Sequence, residues 1–142
     1  YGTNKLNNIS SSEQTHMDAV GDLIEQYNVG KELVTEQGVF TLDAIRTLYS
    51  DLLDKMKVSE VEAFKAATLV EETDIMDIRE IKTRFDKVDI TEVLDQLECG
   101  SENHMRAFNK RLELLEVDYV SLVMPQSEFD EIISAGHMHC GM

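Results

Sequence analysis

Apolar side chains recur every three or four residues through several separate stretches of the chain, the spacing of helices that bury one face. The first stretch sets His16, Val20, Leu23 and Tyr27 on one stripe and predicts a helix over Ser12–Tyr27, ended by Asn28 to Gly30. Ser10, Ser11 and Ser12 offer N-caps, and Glu13 stands three residues after Ser10 as a capping box requires. Ile45, Leu48, Leu52 and Met56 predict a shorter helix over Leu42–Met56, with Thr41 as its cap. Ser59 opens a third helix to Phe85, whose inner stripe reads Val61, Phe64, Thr68, Glu71, Ile75 and Ile78. A fourth starts at Asp89 or Thr91 and carries Leu94, Leu97, Ser101, His104 and Phe108 as far as Leu115. Pro125-Gln126-Ser127 introduces a last short helix to Ser134. Tyr1–Ile9 is polar and without period, and residues 31–41 read as a connection. The division that follows is a helical domain over residues 1–135 and a flexible His/Met/Cys tail over 136–142.

Polar residues interrupt these stripes at three places. Glu13 and His16 are three apart, so on one helix they project from the same face about one turn apart and can reach one ion. Glu71 and Asp74 have the same spacing, while Glu72 is turned away by roughly 100°. Ser101 and His104 repeat it a third time, with Ser where a full Glu-x-x-His would place an acid. A carboxylate with Glu-x-x-His on facing helices is how helical bundles build di-metal sites. The candidate metal ligands are Glu13, His16, Glu71, Asp74 and His104. Gly100, inside the fourth helix, costs about 1 kcal/mol relative to Ala and admits a close-packed neighbour.

The 142 residues are one domain's worth, and a single Pro with seven Gly leaves little turn chemistry for a many-stranded fold. The 28 acidic against 13 basic residues give a net charge of −15. Such a field repels phosphate backbones and anionic lipid heads and attracts cations, which argues against nucleic acid and membrane surfaces as partners. No apolar run approaches the roughly 20 residues of a transmembrane helix. Cys99 and Cys140 are too few for a disulfide framework. The tail places imidazole, thiol and thioether donors together at His137, Met138, His139 and Cys140, a set that suits copper or another soft ion. The chain opens on Tyr1-Gly2 with no initiator Met, as expected of a processed, exported protein.

Five ordered segments carry a resemblance: Ser12-Glu13-Gln14-Thr15-His16-Met17-Asp18-Ala19-Val20, Gly38-Val39-Phe40-Thr41, Val70-Glu71-Glu72-Thr73-Asp74-Ile75, Gly100 to Phe108, and Pro125-Gln126-Ser127-Glu128-Phe129. In this order the chain resembles the ferritin-like family of unknown function, domain of unknown function 2202. The resemblance implies an all-α fold, a ferritin-like helical bundle with three long helices plus short connecting and C-terminal helices, and metal ligands on its core helices. It also implies a first bundle helix upstream of Tyr1.

Two functional readings follow. One is a ferritin-like metal-binding protein, with an iron or manganese carboxylate–histidine site for redox chemistry or metal storage. The alternative is a non-catalytic structural or interaction subunit. In that case a groove beside Val20, Phe64, Ile75 and Phe108, left by the missing helix, would bury itself in a homo-oligomer or repeating assembly. No nucleophile triad, phosphate loop or dinucleotide fingerprint supports a hydrolase, kinase or dehydrogenase.

Overall fold

The computed structural model describes residues 4–30, 34, 36 and 38–141, leaving Tyr1–Thr3, most of the 31–37 connection and Met142 outside the described residues. Five helices follow in order: α1 (Asn4–Gln26), α2 (Asp43–Met56), α3 (Glu60–Lys82), α4 (Val88–Leu114) and α5 (Gln126–Ser134). Among the described residues there is no strand. The fold is all-helical, and among the described residues no helix is long and apolar enough to cross a membrane.

α1 begins at Asn4, two turns before the expected Ser12. The caps at Ser10 to Ser12 go unused because Ile9 packs beside the Phe64, Phe108 and Leu112 cluster, so burial overrides local propensity. Its far end is as expected. Asn28 turns into the left-handed region at φ 50°, and the Val29 N–H returns to the Ile24 carbonyl at 3.1 Å. α3 is capped as expected, with Ser59 accepting from the Glu62 N–H at 3.1 Å. Thr41, however, is not a cap, and α4 begins at Val88, just before the expected Asp89 or Thr91. The cap positions of α2 and α4 are Leu42 and Lys87, neither with a side-chain cap. Asp89 instead accepts from Tyr27 Oη (2.8 Å) and Gln26 Nε2 (2.7 Å), fastening the end of α1 to the start of α4.

α3 and α4 form an antiparallel hairpin whose pairs run in opposite order along the two helices. Arg111 meets Glu60 at 2.6 Å, Arg79 meets Glu98, and Lys82 meets Glu98 at 2.8 Å. Arg79 also reaches Glu102 and Glu128, so one guanidinium ties α3 to both α4 and α5. α1 lies antiparallel to α4 on another side. Two apolar clusters fill the interior. Ile75, Met105, Met124, Phe129 and Ile132 make one; Phe64, Phe108 and Leu112 make the other. Burying each such side chain contributes about 2 kcal/mol.

Among the described residues, the side chains expected to line an open groove are covered, with Val20 half-buried and the other three buried. Phe64, Ile75 and Phe108 are buried, Ile75 under Phe129 and Ile132 of α5, and the two Phe rings beside Ile9 of α1. The predicted α2 stripe is also only partly realised, since Leu52 is buried while Ile45 and Leu48 are exposed.

Candidate metal centre

Three helices each contribute a pair of side chains at a spacing of three, and one member of each pair joins a common group. α1 brings Glu13 and His16, α3 brings Glu71 and Asp74, and α4 brings Ser101 and His104. His104 Nδ1 lies 2.7 Å from Glu13 Oε1 and 3.5 Å from Glu71 Oε1. His16 Nδ1 lies 3.4 Å from Glu13 Oε2, and the two imidazole rings are 5.8 Å apart. Donor atoms of Glu13, Glu71 and His104 all fall within 4.8 Å of one another. His16, Glu71, Ser101 and His104 are buried, whereas Glu13 reaches the group from a half-exposed position.

Two donor atoms here are buried without a hydrogen bond: Glu71 Oε2 and His104 Nδ1. The carboxylates lie close to His104 Nδ1 but off the direction of its ring N–H, so proximity gives attraction without an aligned bond. Buried polar atoms are rarely left so, and each has a donor's chemistry. Gly100 makes the room: a Cβ built there would fall 2.5 Å from His16 Nε2.

The charges shift accordingly. Burial works against the Glu13 carboxylate, but His104 and His16 beside it prevail and hold its pKa down at about 2. Burial likewise opposes the His104 imidazolium, yet Glu13 and Glu71 push it up to about 9. Glu71 is raised, first by burial, with His104 offsetting part. Asp74 is raised to about 7 by burial and by repulsion from Glu71 and Glu13. The cluster is therefore short of positive charge.

Asp74 lines a cleft of about 280 Å³ with Glu13, His16, Asp77 and Ser101. Asp77 was not among the expected residues, although it continues the spacing of three from Glu71 and Asp74. Glu72 takes no part. It is turned by about 100° from Glu71 and accepts from Tyr119 Oη (3.0 Å), the Leu122 N–H (3.1 Å) and Ser121 Oγ.

The tail behaves differently from a set of free soft donors. Cys140 is joined to Cys99 in a disulfide, with Cα atoms 5.6 Å apart. Its sulfur offers no thiolate in that state. His137 and His139 are exposed and, among the described residues, join no group of three donors within reach of one ion.

Residues 1–136 match the family described as uncharacterized protein domain (DUF2202). The chain is 40% identical over 129 residues to uncharacterized protein MJ0754 of Methanocaldococcus jannaschii, spanning 90% of this chain and 70% of that protein. It is also similar to the crystal structure of hypothetical protein MJ0754 from Methanococcus jannaschii, with a TM-score of 0.89 and 38% identity, over 93% of this chain and 76% of that one.

Proposed function

This chain belongs to the DUF2202 family, and on that premise we propose that it is a ferritin-like metal-binding protein holding iron or manganese for redox chemistry or storage. Glu13, Glu71 and His104 are the proposed ligands, with His16 and Asp74 beside them. The observation that carries this reading is the pair of buried donor atoms without hydrogen bonds, Glu71 Oε2 and His104 Nδ1, in a group whose third member is Glu13. Carboxylate oxygens with an imidazole nitrogen suit iron and manganese better than soft ions. Ligand pairs on three helices at a spacing of three support the ferritin-like part of the proposal.

The chain's own residues would do three things. Glu13 and Glu71 would supply negative charge, and His104 would offer its ring nitrogen once deprotonated. His16, kept in place by the absence of a side chain at position 100, orients Glu13 through their 3.4 Å approach. Asp74 and Asp77 make the cleft beside the cluster attractive to cations. A bound iron or manganese would contribute one-electron chemistry that no side chain here provides.

The test is metal analysis of the purified protein, followed by anaerobic titration with Fe(II) and with Mn(II). The expected result is saturable binding that Glu71→Gln or His104→Ala removes and His137→Ala leaves intact. Binding unaffected by either cluster substitution would overturn the assignment.

A further inference from the structure

Ser101 borders both the cluster and the cleft. It lies one turn before His104 on α4, is buried, and lines the cleft of about 280 Å³ together with Glu13, His16, Asp74 and Asp77. Burial raises the Glu71 pKa, and the Ser101 hydroxyl is among the groups that oppose the rise, so this side chain lies against the proposed ligands too. α1 carries a carboxylate three residues before its histidine, whereas α4 carries a hydroxyl in the same place.

That difference bears on how many ions the site holds. Two-ion carboxylate sites set their metals roughly 3.5–4 Å apart and surround them with acids from all the helices around them. Two divalent ions so close repel strongly, and only added negative charge offsets the repulsion. Glu13, Glu71 and His104 each put one donor atom within 4.8 Å of the others, which serves a single ion. A second ion would need donors on the cleft side. His16 turns Nδ1 to Glu13 and Nε2 to Gly100. Asp77 is exposed and Asp74 half-buried. The buried position that could complete a second set with Asp74 is occupied by Ser101, whose hydroxyl brings no charge.

We propose that Ser101 holds the site to one ion per chain, and that a carboxylate at this position would open a second ion position in the cleft with Asp74. The inference rests on the metal reading of Glu13, Glu71 and His104 and narrows it. One iron or manganese ion exchanges one electron at a time, so the redox half of that reading becomes one-electron exchange.

Mn(II) is the probe. Isothermal titration and electron paramagnetic resonance on the full chain count the ions bound by the native protein, by Ser101→Ala, by Ser101→Glu, and by Ser101→Glu combined with Asp74→Asn. The expected counts are one, one, two and one, with magnetic coupling between ions in Ser101→Glu alone. Ser101→Asp, a shorter acid, is measured beside it in case the longer side chain impairs folding, as read by circular dichroism. Two ions in the native chain, or one in every folded acidic variant, overturns the role of Ser101 and leaves the metal reading standing. Loss of the ion in Ser101→Ala would make the hydroxyl a ligand and overturns it as well. No saturable binding by the native chain overturns both.

Discussion

The ring of His16 occupies the space that a side chain at position 100 would need, since a Cβ on Gly100 would come within 2.5 Å of both Cε1 and Nε2 of that imidazole. Gly100→Ala therefore gains about 1 kcal/mol of helix propensity and loses more by displacing a buried ring. The net cost should be about 1–3 kcal/mol, read from the denaturant midpoint. Removing the ring should remove the conflict, so Gly100→Ala combined with His16→Ala should be less destabilised than the two single changes summed. A strictly additive cycle would mean that the close approach carries no energy.

Stability and metal affinity should respond to pH in opposite directions. The raised His104 pKa contributes stability that is complete below about 6.5 and lost as pH rises through about 9. The lowered Glu13 pKa contributes stability present above about 4.5 and lost as pH falls through about 2. The metal-free protein should thus gain most from this pair between about pH 4.5 and 6.5. A cation must displace the His104 proton, so its affinity should climb from pH 6.5 to 9. The rise in melting temperature on adding Mn(II) should grow over the same range. A constant or shrinking rise would contradict the assignment of His104 as ligand.

Asp74 offers a change of sign within one substitution. Its pKa is raised from 3.8 to about 7, so its contribution is present below 3.8 and lost as pH rises through 7. Asp74→Asn should stabilise the metal-free protein at pH 8 and do nothing for it at pH 3.5. The same substitution should weaken Mn(II) binding by about tenfold. Thermal melts at the two pH values and one isothermal titration check all three outcomes.

Glu72 is a structural acid. Three part-buried donors converge on it, and Glu72→Ala would remove their shared acceptor at a cost of about 1–3 kcal/mol. Metal uptake by the surviving folded fraction should be unchanged. Loss of binding at full helicity would give Glu72 a role that its geometry does not suggest.

Much of this arrangement was legible in the chain. His16, Glu71 and His104 each break an apolar stripe, and those breaks fall at one level of the folded helices. Gly100 announced a close neighbour without naming it. Other features were hidden for physical reasons. Glu71 and Glu72 both turn inward because α3 is covered on more than one side, whereas an acidic run on a helix ordinarily faces water. The start of α1 is polar and Asn-rich, and helix forms there because Ile9 finds the Phe64 and Phe108 rings. Cys99 and Cys140 lie 41 residues apart, one on α4 and the other past α5, so only the folded path shows them as partners.

The adjacency of Glu71 and Glu72 fixes α3 about its own axis. Neighbouring residues on a helix diverge by about 100°, and here each finds a different set of partners: His104 for Glu71, and Tyr119, Ser121 and Leu122 for Glu72. Any roll of α3 large enough to release one carboxylate would drag the other from its donors as well. Glu13, on α1, is the partly exposed member of the cluster, while a roll of α3 is opposed at both of its buried acids. Two buried acids side by side thus act as a key that sets the rotational position of α3.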